Sequence, residues 1–258
     1  MTIDACAALV RQGDPDRFLS AMTAPVNQRA QLLVLYAFNL ELARVAWVTA
    51  EPMIAEMRLQ FWADAVEDIA ASRPPRAHEV AGPLAEIARD LTLPTTLLAR
   101  MVTARQFDIY PEPHVSQKAL IHYIDDTAGN LLWLAALSLG ARGETETTCR
   151  KAGFAFGTAA LLQALPALIL AGRQTLPDTT PDAIQSLAQS ALASLEMAKK
   201  AKLPKALAPA LRAGWLAGSI LRRAAENPHV VLQSRLRPSE FARRTTLITV
   251  CAVSVPLI

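Results

Sequence analysis

From Ala152 to Gly172 the chain runs for 21 residues without one charged side chain. A stretch of that length can cross a bilayer. It can also form the middle of a large helical bundle, apolar all round because other helices surround it. Pro166, Gln163, Thr158 and the Gly153/Gly157 pair dilute its hydrophobicity, and the reading adopted is a buried central helix. The four-residue spacing of Gly153 and Gly157, repeated at Gly214 and Gly218, lets helix backbones approach closely. The rest of the chain can supply the surrounding bundle: 48 alanines and 37 leucines stand against 26 valines and isoleucines together, which predicts an all-α protein. Hydrophobic residues reach 52% against 19% charged, which excludes disorder and collagen-like sequence. One domain over residues 1–258 is expected.

Helix punctuation gives about eight helices. One runs from Asn27 to about Val48, and Pro52 opens the next, which ends near the Ser72-Arg73-Pro74-Pro75 loop. Shorter helices begin near Pro83 and Pro94. Pro111-Glu112-Pro113 breaks the chain before Ser116 caps a helix reaching Gly140. A helix from Thr145 to Ala171 follows, then two basic helices split by Pro204, and a last apolar segment from Pro238.

Net charge is +3, unevenly spread: Glu196 to Arg244 holds eleven Lys or Arg against three acids. Such a block suits an anionic membrane surface or an acidic protein. Only two aromatic rings, Trp215 and Phe241, fall among its basic residues, which counts against nucleic acid. Cys6, Cys149 and Cys251 show no CxxC spacing, so neither a disulfide framework nor a zinc site is expected. The opening residues, with Asp4 and no leading basic cluster, do not resemble a secretory signal. A cytoplasmic protein, peripheral on the inner face of the inner membrane, is expected.

Simple catalytic motifs are missing: no GxSxG, P-loop, GxGxxG after a strand, or HExxH occurs. His122 with Asp125 and Asp126 has the helical spacing that could set a base or metal ligand beside a carboxylate, or could simply form a hydrogen-bonded surface group. Glu67 and Asp68 point about 100° apart on a helix and read as a solvated edge, and Glu41 with Arg44 as an intrahelical pair.

Asp16-Arg17-Phe18, Leu35-Tyr36-Ala37-Phe38, Arg58-Leu59 with Trp62, Ala128-Gly129, and Gly172-Arg173 before Leu176-Pro177 occur in the order and approximate spacing of the squalene/phytoene synthase family, which the chain resembles over roughly residues 14 to 180. The resemblance implies an isoprenoid-synthase-like all-α bundle with a central cavity. Active members place an Asp-x-x-x-Asp cluster on each of two facing helices. Carboxylates four residues apart share a helix face, hold Mg²⁺ and neutralise the departing diphosphate. Here the corresponding positions are Ala43 and Trp47, then Ala164 and Leu168. None of the four can ligate Mg²⁺, so none is expected here, and Glu41 and Glu51 are the possible stand-ins near the first site.

The run Phe38-Asn39-Leu40-Glu41-Leu42-Ala43-Arg44-Val45, with Glu51-Pro52, Met57 to Trp62 and Val66-Glu67-Asp68-Ile69, resembles the branch of this family that serves in mitochondria as an assembly factor for respiratory complex I. The implied function is a non-catalytic protein of complex I assembly, with complex I subunits or intermediates as partners. The alternative is an enzyme or carrier of prenyl or other lipid ligands. Tyr36, Ala43, Trp47, Arg58, Trp62, Ala164, Leu168 and Arg173 are expected on the degenerate cavity. Arg58 and Arg173 are expected at its mouth, paired with acids such as Asp64 and Glu67.

Overall fold

A computed structural model describes residues 3–49 and 51–252, with no strand among them. The helices are α1 (Ile3–Gly13), α2 (Pro15–Met22), α3 (Val26–Val48), α4 (Pro52–Ala70), α5 (Ala81–Asp90), α6 (Thr95–Ala104), α7 (Gln117–Ile124), α8 (Asn130–Ser138), α9 (Glu146–Leu170), α10 (Pro181–Lys200), α11 (Ala208–Leu211), α12 (Ala217–Glu226), α13 (His229–Leu232) and α14 (Glu240–Ala252). Ser116 caps α7 as the sequence predicts; Asp14, accepting from the Arg17 amide with Pro15 at the first turn of α2, and Thr180 cap α2 and α10, while α3 begins at Val26 after Pro25 rather than at Asn27.

There are more helices than the punctuation suggests. Two precede Asn27. The expected helix from Ser116 to Gly140 is interrupted by a π turn at Asp125–Gly129. That turn lies where α9 comes closest. A Cβ at Gly153 would sit 2.8 Å from the Gly129 Cα, and one at Gly157 would sit 2.6 Å from both the Ala128 Cβ and the Ile124 Cγ2. The small residues noted in the sequence therefore let α9 lie against the turn backbone.

Helix α9 packs on α7, α8, α10, α12 and α13, and α3 packs on α1, α2, α4, α5 and α8. Both are long and apolar enough to cross a membrane by length and composition. In the fold, α3 buries an unbroken run from Leu32 to Asn39, and α9 buries one side from Cys149 to Pro166. The last turn of α9 emerges from the core, leaving Leu170 88% exposed. The apolar C-terminal tail beyond residue 252 lies outside the described residues.

Candidate functional site

The C-terminal half of α3 and that of α9 face each other across a cavity of about 260 Å³. Its apolar wall includes Leu40, Ala43 and Trp47 from α3, and Leu161, Ala164 and Leu168 from α9. All four positions where the family resemblance puts metal-binding aspartates thus line one cavity, as methyl, indole and isobutyl groups. Those groups offer no oxygen donor to a hard divalent cation. Glu41 and Glu51 do not line this cavity.

Its polar side is built from arginines, two of them already partnered. Arg17 Nη1 donates to Asp14 Oδ2 at 2.6 Å, and its guanidinium lies 5.9 Å from the Tyr36 ring centre. Arg105 Nη1 donates to Asp108 Oδ2 and to the Tyr123 hydroxyl, both at 2.9 Å, while that hydroxyl donates to Asp108 Oδ1 at 2.7 Å. Burial works against the Arg105 charge, but Tyr123 and Asp108 more than offset it and its pKa is raised. Burial also pushes the phenols of Tyr123 and Tyr36 well above the ordinary tyrosine value. The third arginine, Arg173, comes from the turn after α9. It donates to the Ala46 carbonyl and lies 5.1 Å over the Trp47 ring.

Around the mouth the chain is tied together by Tyr110, whose hydroxyl donates to Glu56, and by the Gln174 amide, which bonds the Pro111 carbonyl at 3.0 Å. Phe107 stacks on buried His114 with ring centres 3.6 Å apart, and burial lowers the His114 pKa.

Of the eight predicted site residues, the structure brings Ala43, Trp47, Ala164, Leu168 and Arg173 together. The other three are elsewhere. Tyr36 is buried beneath Arg17 with its hydroxyl unpartnered. Trp62 packs edge-on against Phe38 and His78. Arg58 is exposed and lines a separate surface groove with Glu41, Arg44 and Trp62. The expected pairing of Arg58 and Arg173 with Asp64 and Glu67 is corrected as well. The loop after α4 folds back, so Arg76 takes Asp64 at 3.3 Å and Arg73 takes Glu67 at 3.0 Å.

Arg105, Asp108 and Tyr123 were not anticipated; the signal available was the three-residue spacing of Arg105 and Asp108, which the 3-10 turn at Arg105–Ile109 brings together. His122, Asp125 and Asp126 lie outside the cavity wall. Arg150 holds Asp125 at 3.0 Å, Asp126 is shared by Arg100 and His122, and no cluster that could hold a metal occurs among the described residues.

Comparison with known proteins gives a consistent set of matches. The profile described as squalene/phytoene synthase matches residues 10–181. The human and mouse proteins named NADH dehydrogenase (ubiquinone) complex I, assembly factor 6, are each 31% identical over 162 residues, 62% of this chain and 48% of theirs. The Drosophila melanogaster homologue is 33% identical over 180 residues, 67% of this chain and 52% of its own. The chain therefore spans about half the length of these relatives. Among solved structures, a dehydrosqualene synthase in complex with ligand superposes with a TM-score of 0.82 at 15% identity, covering 96% of this chain and 94% of that one. The squalene synthase HpnC from Alicyclobacillus acidocaldarius gives 0.74 at 17% identity, with 87% and 94% covered. At these identities the structural matches establish the fold.

Proposed function

This chain belongs to the squalene/phytoene synthase family, and from that premise we propose that it is a non-catalytic member acting in the assembly of respiratory complex I. The observation that carries the first half is that Ala43, Trp47, Ala164 and Leu168 line one cavity. A departing diphosphate bears several negative charges and needs compensating cations. The two carboxylates that do line the cavity, Asp14 and Asp108, are each engaged by an arginine. No Mg²⁺ site is assigned.

The second half rests on relatives about 30% identical whose name is complex I assembly factor 6. The partners proposed are complex I subunits or assembly intermediates, met by a cytoplasmic protein lying peripherally on the inner face of the respiratory membrane. Lys200, Lys202, Lys205, Arg222 and Arg223 are exposed and supply the cationic surface for that attachment. Other members of the basic block are used inside the fold: Lys199 pairs with Glu196, and Arg237 and Arg243 gather on Asp16. The test is affinity capture of the tagged protein from native membranes with quantitative mass spectrometry. Enrichment of complex I subunits is expected, and enrichment no greater than with an unrelated tagged protein rejects the assembly role.

A second reading, a lipid-binding protein, is favoured by the open cavity and its unpaired arginine.

A further inference from the structure

The charges on the cavity wall do not match a diphosphate. Three arginines (Arg17, Arg105 and Arg173) stand against two aspartates, Asp14 and Asp108, which leaves one positive charge. Its location is clear, because Arg17 and Arg105 each hold a carboxylate at 2.6 and 2.9 Å. Among the described residues Arg173 has no carboxylate within ion-pair distance. Of its five N–H donors, the structure commits one, to the Ala46 carbonyl. The cation–π contact with Trp47 uses none of these donors. The same cavity is lined by the apolar side chains of Leu40, Leu161, Ala164 and Leu168.

We propose that this cavity binds a single-chain lipid whose head carries one negative charge, a fatty carboxylate being the simplest, held by Arg173 without a metal ion. The carboxylate would take a charge-assisted hydrogen bond from the free edge of Arg173. The chain would lie against these alanine and leucine side chains, where removal from water supplies most of the affinity. At about 30 Å³ per non-hydrogen atom, as in liquid water, 260 Å³ accommodates about nine atoms, which is the carboxylate and about the first six methylenes of the chain, the rest extending through the open side of the cavity. A second cavity of about 440 Å³ lies on the far side of Asp14, Ala160 and Ala164, which line both, and its own lining includes Asp16, Gln163 and Arg237. The inference is independent of the assembly role.

Decanoate is a suitable probe, compared by calorimetric titration with decanol and with farnesyl diphosphate, each with and without Mg²⁺. Saturable decanoate binding is expected, unaffected by Mg²⁺ and about ten- to a hundred-fold tighter than decanol, which is the contribution of one charged hydrogen bond. Arg173→Gln should erase the preference for acid over alcohol, and Arg173→Lys should keep part of it, in variants whose melting temperatures confirm folding. Equal affinity for acid and alcohol, no saturable binding of decanoate, or tighter Mg²⁺-dependent binding of farnesyl diphosphate would each overturn the proposal. None of these outcomes bears on capture of complex I subunits, so the two readings fail separately.

Discussion

Replacing Gly153 by alanine tests how closely α9 lies against the π turn. In a helix this change normally stabilises, because alanine has the higher propensity by about 1 kcal/mol. Here the added Cβ would lie 2.8 Å from the Gly129 Cα and 3.1 Å from the Ala128 carbonyl oxygen, against an optimal carbon separation of about 3.5–4.0 Å. Both neighbours are backbone, so no side chain can rotate away and the helix must withdraw by several tenths of an ångström. Overpacking of this kind costs about 1–3 kcal/mol. The net expectation is a loss of about 1 kcal/mol, or roughly 2–4 °C in melting temperature for a chain of this size. Gly143→Ala is the internal control, because nothing lies within 4 Å of its added Cβ and surface changes stay within about 0.5 kcal/mol. Thermal melts followed by circular dichroism measure both. A Gly153→Ala protein as stable as the parent, or more so, would show that α9 is not in backbone contact with the turn.

Purified protein supplied with Mg²⁺ and farnesyl or geranylgeranyl diphosphate is expected to release no pyrophosphate above a heat-killed control; Mg²⁺-dependent release would restore the synthase reading. Burial lowers the His114 pKa, so the unfolded chain binds that proton more readily. Its stabilisation is therefore complete above about pH 6.5 and is lost as pH falls through that value toward the lower folded one, with a slope of at most about 1.4 kcal/mol per pH unit. His114→Phe, which keeps an aromatic ring on Phe107, should flatten melting temperature against pH below about 6.5, and an unchanged slope would refute the assignment. In flotation assays the protein should bind anionic liposomes better than neutral ones and be released at about 1 M salt, with Gln at positions 200, 202, 205, 222 and 223 abolishing the difference; equal binding to both lipids, or retention in high salt, contradicts electrostatic attachment.

Much of the architecture was legible because composition and punctuation both act locally. Pro52, Ser116 and the apolar run before Gly172 set helix ends within a residue or two of those observed. The π turn was not legible. It lies where Gly153 of α9 meets Gly129 from across the fold, a contact that no window around Asp125 contains. At the site, Ala43, Trp47, Ala164 and Leu168 could be placed on one cavity by spacing because α3 and α9 are regular helices, so a register assigned at Tyr36 or Arg173 carries along the face. Arg58 and Trp62 sit in family motifs too, yet α4 turns them toward the groove that Glu41 lines. Motif order preserves neighbourhood in sequence but does not say which face of α4 meets the cavity. The ion pairs of Asp64 and Glu67 were missed for a related reason: their partners, Arg73 and Arg76, lie in a loop whose path is set by Pro74 and Pro75 and by packing.

The apolar groups at the positions where the resemblance expects acids and the state of the arginines are physically connected. In a cavity whose wall carries aspartates and metal ions, arginines are held by the anions that pass through it. Once methyl, indole and isobutyl groups take those positions, each remaining guanidinium must find another partner or stay hydrated, because an unpaired buried charge costs several kcal/mol. Arg17 and Arg105 have partners close in sequence, Asp14 and Asp108, each three residues away. Arg173 uses one of those apolar groups. Trp47 occupies a position where the resemblance expects an aspartate, and its ring now lies beneath the guanidinium while the Ala46 carbonyl accepts from its edge. Such a cation–π contact contributes about 0.5–2 kcal/mol, less than a buried carboxylate would. It holds Arg173 in place without neutralising it, so the cavity keeps one positive charge at its mouth and an apolar lining.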